Sequence, residues 1–472
     1  MTFRTLPLVL VTLLVGVSTS WGQSTTTGSS QTGAPTGAQT GTQSPPNGTP
    51  SDTEPAGPPV RNVAIDPTDL LAGQTGWSLL LSGFGGNDST NWGSAGANVL
   101  TGDDFVMNGG NAGGTARVTG SKSSPRGRYF VDGNATSVYS PSGDRFLTDT
   151  RLQLTGTRVL AQRTELTAAQ TMMYAPFYGI GLFPSLGSYS GTDITSAYSP
   201  TIDSGTQTAE VFRYFMNTQL THTMLNRAEV SVHYGLRRNE VFDRTPATFS
   251  QEVGGRYEKK INRTLGYHLG YDYGTMRYGG PGAAALNIID VGLDVDRSLS
   301  FSRRTVFQFT SATAIVKANA LDAAQADQAR TNFRLLGSAN LRHYLGRSWV
   351  MNASYVRDVQ TLDGLATPYF TDGLNVGLSG RLGTVSTAGV SMGYLTGVPL
   401  TTSDRARDRA LVSSAWLQRR LSSRVAGYAR VSSYSQRFNS DQLDAIGLGD
   451  RLSKYSIRVG VNVVYSRNRA TR

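Results

Sequence analysis

The chain has 472 residues, a formal net charge of +11 and no cysteine. Without cysteine it can form no disulfide, no thiolate metal site and no cysteine nucleophile. A mean hydropathy of −0.25 is too low for a bundle of membrane-spanning helices, but it suits a barrel whose wall is apolar on one side only. Because the basic residues are scattered and not interleaved with aromatic residues, we expect no nucleic-acid partner.

The amino-terminal segment has the layout of a secretory signal peptide. Arg4 precedes an apolar run at residues 6–17, and small and polar residues continue to Gly22. This run is shorter than the ~20 residues that a membrane-spanning helix requires, so we predict a signal peptide at residues 1–22 rather than an anchor. Residues 23–60 are rich in Ser, Thr, Gly and Pro. They predict a disordered linker ahead of a barrel at residues 61–472.

A two-residue alternation marks the strands, and residues 454–467 (KYSIRVGVNVVYSR) show it best. Every second residue from Tyr455 to Tyr465 is apolar or aromatic, while the residues between them are mostly small or polar. Because neighbouring side chains on a strand point to opposite faces, one face is apolar and the other is polar. With a strand tilt of about 45°, the two tyrosines stand about 23 Å apart along the membrane normal. That spacing is typical of the aromatic girdles of outer-membrane barrels.

The same alternation recurs along the chain and predicts an all-β fold, a closed antiparallel transmembrane β-barrel. Counting from Trp77 gives about 18 strands, or about 16 if the segments before Tyr129 lie outside the wall. Short connections such as residues 261–265 alternate with longer ones such as residues 438–452. This asymmetry is typical of barrels with short periplasmic turns and long external loops.

Three segments are interpreted as loops. Residues 83–86 and 109–114 are glycine-rich without the spacing of a phosphate-binding loop, which indicates flexible loops. The connection from Ala175 to Gly205 exceeds the ~12 to 15 residues of an ordinary loop and contains several aromatic residues. We hypothesise that part of it folds into the barrel mouth and narrows the pore, the alternative being an exposed surface loop.

Polar side chains of both signs occupy the second face of the predicted strands, where they would meet water in a lumen. This mixture gives no strong indication of charge selectivity. The predicted pore-lining residues are Arg237, Glu252, Arg256, His268, Asp272, Asp290, Asp294, Asp296, Arg342, Arg381, Arg458 and Asn462.

Two constellations in this set have alternative interpretations. His268 and Asp272 share a face four residues apart, which permits a proton-relay pair, although a hydrogen-bond network in the lumen is the simpler interpretation. Asp290, Asp294 and Asp296 share one face and could hold a divalent cation, although they offer fewer ligands than the six or more oxygens that such a cation usually takes. The sequence contains no H-E-x-x-H, and its G-x-S-x-G at residues 389–393 (GVSMG) lies inside an alternating, strand-like segment and not at the strand-to-helix turn of a nucleophile elbow. We therefore expect no enzyme activity, no cofactor and no bound metal.

Residues 225–242 (LNRAEVSVHYGLRRNEVF), 261–278 and 345–357 (LGRSWVMNASYVR) each open with a basic turn and continue as an alternating, Tyr-rich strand. In these segments the chain resembles bacterial outer-membrane β-barrels of the porin class, over about residues 77–467. The resemblance implies residence in the cell outer membrane, contact with its lipid, including anionic lipopolysaccharide, and recognition by the barrel-insertion machinery. It also implies a passive channel for small hydrophilic solutes. Exopolysaccharide export and a non-transport surface or scaffold barrel are the alternatives.

Overall fold

The structure, a computed structural model, describes residues 75–92, 109–141, 144–178, 207–241, 245–262, 264–278, 283–298, 304–320, 330–361, 368–399, 407–437 and 451–469. All of them belong to the second of two compact units of the chain, Glu54–Arg472. The predicted signal peptide and linker lie outside the described residues. Within these residues, no helix is long and apolar enough to cross a membrane.

The described residues form eighteen strands, with a 3-10 turn at Leu225–Arg227 between two of them. The strands are β1 Thr75–Trp92, β2 Gly109–Ser124, β3 Gly127–Ser140, β4 Arg145–Ala161, β5 Thr164–Tyr178, β6 Gln207–Thr223, β7 Ala228–Val241, β8 Thr245–Lys260, β9 Leu265–Tyr278, β10 Ala283–Ser298, β11 Thr305–Ala320, β12 Arg330–Leu345, β13 Trp349–Thr361, β14 Pro368–Leu382, β15 Ser386–Pro399, β16 Asp408–Arg420, β17 Val425–Arg437 and β18 Arg451–Arg469.

The strands close into a ring. Each pairs antiparallel with the strands before and after it in the chain, and β18 pairs with β1, where Tyr465 opposes Leu79. This confirms the predicted closed barrel and the count of about 18. The alternative of 16 strands is wrong, because β1 and β2 join β18 to β3. Without them, two edges of unpaired backbone groups would face lipid.

The two glycine-rich segments interpreted as loops belong to strands instead. Residues 83–86 lie in β1 and residues 109–114 lie in β2. The physical reason is a close contact across the pair, because Gly113 opposes Phe84. A Cβ on Gly113 would lie 2.6 Å from Cζ of Phe84 and 2.4 Å from the carbonyl oxygen of Ser137. Glycine lets the aromatic ring lie against the neighbouring strand, as in the aromatic rescue of strand glycines.

The long connection predicted from Ala175 to Gly205 begins later than expected. β5 continues to Tyr178, so Ala175 belongs to the wall and not to the connection. The β-ladder to β6 extends this far, since Tyr178 opposes Gln207. Residues 179–206 lie outside the described residues, and a constriction formed by them stays a prediction.

The longest connections lie at one end of the ring. Residues 93–108 and 179–206 separate β1 from β2 and β5 from β6, whereas only two residues separate β2 from β3 and β4 from β5. Because the strands alternate in direction, Thr75 and Arg469 both lie at the end with the short links. Short links are typical of the periplasmic end of outer-membrane barrels.

The outer face of the ring is apolar. Val459 is 59% exposed, Leu293 is 50% exposed and Tyr271 is 49% exposed, and many other large apolar side chains share this face. Water would solvate such a surface poorly, whereas lipid chains solvate it well. A closed ring also pairs its backbone groups internally, which a bilayer requires of any spanning strand. The described strands therefore form a transmembrane β-barrel.

Candidate functional site

The predicted pore-lining residues lie on the inner face, the side of the wall opposite the apolar one. The pairing register places all the described side chains of the set there; the side chain of Asp296 lies outside the described residues. The structure brings six of them together on β8, β9 and β10, namely Glu252, Arg256, His268, Asp272, Asp290 and Asp294. It leaves five elsewhere on the wall, namely Arg237, Arg342, Arg381, Arg458 and Asn462. That these residues line a conducting pore stays a prediction.

Eight inward side chains of β7–β10 contact one another, and we call them the charged sector: His233, Glu252, Arg256, Glu258, His268, Asp272, Asp290 and Asp294. Arg256 on β8 lies at its centre. Its Nε is 2.7 Å from Oε1 of Glu258, and its two terminal nitrogens approach Oδ2 of Asp290 at 3.6 Å and Oδ1 of Asp294 at 3.4 Å. Asp290 is buried, so a cation beside it offsets the cost of removing a carboxylate from water. One guanidinium thus binds three carboxylates from two strands.

His268 on β9 is held by the same two aspartates. Its Nδ1 lies 2.8 Å from Oδ2 of Asp294 and its Nε2 lies 3.2 Å from Oδ1 of Asp290. An imidazole that donates from both nitrogens carries a positive charge. Asp290 and Asp294 are therefore engaged by two cationic side chains, which leaves them poorly disposed to form the hypothesised cation site with Asp296.

Asp272 contacts a different histidine from the one suggested by spacing. Oδ1 of Asp272 lies 3.1 Å from Nε2 of His233 on β7, which is also 3.8 Å from Oε1 of Glu252. The hypothesised pair of His268 with Asp272 does not form, because four residues along one strand correspond to about 13 Å. The contacts that do form run across strands, as in the alternative interpretation of a hydrogen-bond network.

His233 and Glu258 complete the charged sector but are absent from the predicted set. Both alternate with outward residues, since Val232 and Val253 are exposed apolar side chains on the same two strands. The two-residue period that selected the other inward residues therefore also selects these two. What the period cannot indicate is that they contact Asp272 and Arg256, because those contacts depend on strand register.

Glycines make room for the charged sector. Gly254 opposes both His233 and Asp272, and a Cβ there would lie 1.8 Å from Oδ1 of Asp272 and 2.4 Å from Cε1 of His233. Gly292 opposes His268, where an added Cβ would lie 2.7 Å from Cε1 of the ring. The recurrence of glycine on the polar face thus has a local steric cause at these positions.

A second inward group is apolar. Phe84, Val138, Leu147 and Ala175 are buried together, with Tyr428 packed against them; we call these five residues the apolar cluster.

Arg458, a predicted pore-lining residue, lies at the edge of the apolar cluster. Its guanidinium carbon is 4.8 Å from the centre of the Phe84 ring, a cation–π distance. Its terminal nitrogen also lies 3.9 Å from Oδ2 of the buried Asp88. Arg458 is therefore held against the wall by a ring and a carboxylate.

Comparisons with known proteins give fold-level likeness only. No protein-family model matches the chain, and no curated protein matches it. The structure is similar to OpdL from Pseudomonas aeruginosa, with 12% sequence identity, coverage of 84% of this chain and 99% of that one, and a TM-score of 0.39. It is also similar to the FrpB iron transporter from Neisseria meningitidis, with 8% identity, coverage of 85% and 83%, and a TM-score of 0.39. Such scores are too low to indicate a function.

The assignment therefore depends on this chain's own features. A closed antiparallel ring, an apolar exterior and long connections at one end are together typical of outer-membrane barrels. The chain is an outer-membrane β-barrel of porin-like architecture.

Proposed function

We propose that the barrel is a passive channel for small hydrophilic solutes. The observation that carries this proposal is a closed ring of eighteen strands with ionised groups on its inner wall. Barrels of 16 to 18 strands are wide enough to leave an aqueous channel. Charged groups on an inner wall are stable only where water, or each other, can solvate them. No catalytic function is part of the proposal.

The distribution of charge supports a channel of broad specificity. The charged sector holds five carboxylates against Arg256 and two histidines, so it is acidic on balance. Arg237, Arg342, Arg381 and Arg458 lie on other parts of the inner face. A wall that carries charges of both signs does not attract only cations or only anions along its whole length. This suits a pore that passes polar solutes without selecting the sign of their charge.

Recordings of the purified protein in planar bilayers test the proposal. We expect steady ohmic single-channel steps, and liposome swelling that falls as the size of the added sugar increases. Protein kept unfolded in urea and added at the same concentration is the control. Silence from a correctly assembled barrel would overturn the channel and favour the scaffold role, whereas passage of long polysaccharide chains in preference to small sugars would favour exopolysaccharide export.

We also propose lipopolysaccharide as a lipid partner, because three arginines form a row on the outer face at the end with the long connections. Arg437 opposes Arg409 on one side and Arg451 on the other, and all three are exposed. Like charges at directly opposed positions repel, and lipid phosphates between them would offset that repulsion. We also propose that the barrel-assembly machinery inserts the protein into the membrane, because the protein is a closed transmembrane β-barrel.

Arg437→Gln tests the lipid contact. We expect it to lower the amount of co-purifying lipopolysaccharide relative to Arg419→Gln, which alters an exposed arginine at the short-link end of β16. Equal lipid content in the two variants would contradict the contact.

A further inference from the structure

Three side chains from adjacent strands converge in the charged sector. His233 on β7, Glu252 on β8 and Asp272 on β9 each place one ligand atom within 4.8 Å of the other two. His233 and Asp272 approach from either side of Gly254, which opposes both of them. An imidazole with two carboxylates is a ligand set that divalent transition metals accept.

The orientation of the His233 ring is a second and independent observation. Its Nε2 lies only 3.1 Å from Oδ1 of Asp272, yet the contact is too bent at this buried nitrogen to meet hydrogen-bond geometry. The ring nitrogen therefore does not point along the line to the carboxylate oxygen, although the distance would allow a bond. A simple imidazole–carboxylate pair would align the two groups, so the close approach has another geometric cause.

A shared metal ion accounts for both the distance and the misalignment. Two ligands at about 2.0–2.2 Å from one ion, at tetrahedral to right angles, are separated by about 3.0–3.4 Å. The nitrogen then points at the ion, which lies off the line between the two ligand atoms. The 3.1 Å separation of His233 and Asp272 falls in that interval. Oε1 of Glu252 lies 3.8 Å from the same nitrogen, so it would have to move closer to bind the shared ion.

His268 provides a contrast within the same sector. It also faces two carboxylates, but both of its nitrogens are hydrogen-bonded, to Asp290 and to Asp294. Its ring is aligned with its partners, as expected of an ion-paired histidine. The two histidines thus differ in geometry although their surroundings are chemically alike.

We propose that His233, Glu252 and Asp272 bind a divalent transition-metal ion of the Zn²⁺ type. Three protein ligands leave coordination positions for water or for a passing polar solute. Glu252 is partly exposed, with 38% of its side chain accessible, which provides a route for the ion from the inner face. The site goes beyond the channel function, and a bound ion would add positive charge to the charged sector.

Equilibrium dialysis of the detergent-purified, EDTA-stripped barrel against ZnCl₂ tests the proposal. We expect one Zn²⁺ per wild-type barrel and no comparable binding of Mg²⁺, which prefers oxygen ligands in octahedral sites. His233→Gln should weaken Zn²⁺ binding by about 100-fold, since even changes behind a ligand cost 10–100-fold. His268→Gln is the matched control and should leave the affinity unchanged. Heat-modifiable gel mobility verifies that each variant is assembled.

Two results would overturn the site. One is wild-type protein that binds no stoichiometric Zn²⁺, which would leave His233 as an ion-paired histidine. The other is Zn²⁺ binding that survives His233→Gln or moves with His268→Gln. Should His233→Gln fail to assemble, Glu252→Gln alters the most exposed ligand and must show the same loss. Dialysis does not require conduction, so failure of the channel proposal leaves this result interpretable.

Discussion

The charged sector and the apolar cluster have opposite chemistry, but the backbone accommodates them in the same way. In the charged sector, His268 lies over Gly292 of the neighbouring strand. In the apolar cluster, Phe84 lies over Gly113 and Tyr428 lies over Gly460. In each case a large inward side chain packs along the wall, on the strand beside its own.

The comparison teaches that inward glycines pair with inward large side chains at these positions, whichever chemistry the side chain has. A glycine is placed where a neighbour needs room, and the neighbour can be an aromatic ring or a charged imidazole. The two groups should differ in what they contribute. Apolar packing stabilises the wall near the β18–β1 closure, whereas the carboxylates and Arg256 determine the electrostatic potential on the inner face.

The largest expected effect is in the apolar cluster. Phe84→Ala removes a buried ring from the cluster and should lower the free energy of unfolding by about 3–5 kcal/mol, the usual cost of such a cavity. Urea unfolding of the barrel in lipid vesicles measures this. Phe146→Ala is the control, because Phe146 is 75% exposed and its loss should cost much less. Equal losses would contradict the structural role of the cluster.

The second largest effect should come from a comparison of the outer face of the barrel with the inner face, which carries both the charged sector and the apolar cluster. Val459→Arg places a charge among lipid chains near the middle of β18 and should cost about 2–4 kcal/mol. Asn462→Arg, on the inner face of the same strand, places its charge where water can solvate it. The folded fraction from heat-modifiable gel mobility compares them. Comparable folded fractions would mean that the two faces are wrongly assigned.

Much of the fold could be predicted from the sequence because alternation is a local signal. In the run from Tyr455 to Tyr465, the alternation alone identifies the apolar face and the polar face, and no information about other strands is needed. The prediction failed at residues 83–86 and 109–114, where glycines interrupt the alternation. Glycine at position 113 is explained by Phe84, and that partner becomes apparent only when β1 and β2 are aligned.

The candidate site could be predicted residue by residue but not as a set of contacts. Alternation correctly indicated that His268 and Asp272 share the inner face. It could not indicate that Asp272 meets His233, while His268 meets Asp290 and Asp294. Those contacts depend on the register of β7, β8, β9 and β10, and a slip of one residue would turn each of these side chains to the lipid.

A smaller effect is expected when a glycine crowded by backbone atoms is compared with a glycine crowded by side-chain atoms. Gly113→Ala meets the backbone oxygen of Ser137 at 2.4 Å, whereas Gly254→Ala meets side-chain atoms of Asp272 and His233 that can swing away. Overpacking costs about 1–3 kcal/mol, so we expect Gly113→Ala near the upper value and Gly254→Ala near the lower. Gly255→Ala is the control, since its nearest atom is 3.8 Å away. Urea unfolding that reverses this order would refute the distinction between backbone and side-chain crowding.

The smallest effect concerns selectivity and rests on the proposed channel. Arg256→Gln removes a positive charge that lies within 4 Å of three carboxylates. One unit charge acting over about 4 Å through water changes an energy by ~1 kcal/mol. The permeability of a monovalent cation should therefore rise about fivefold, and the ratio of cation to anion permeability should rise further because anions lose the same attraction. Reversal potentials across a KCl gradient measure that ratio.

Two companion variants make this selectivity measurement decisive for the comparison. Glu258→Gln removes the carboxylate nearest to Arg256 and should shift the reversal potential in the opposite direction. Arg458→Gln removes an equal charge from a side chain that is about as buried as that of Arg256, 11% against 14% exposed, but this guanidinium lies on the Phe84 ring and outside the charged sector. We expect a smaller shift, because the carboxylates of the charged sector concentrate cations beside Arg256. If Arg458→Gln shifts the reversal potential as far as Arg256→Gln, the apolar cluster governs selectivity as much as the charged sector does, and the division of roles is wrong.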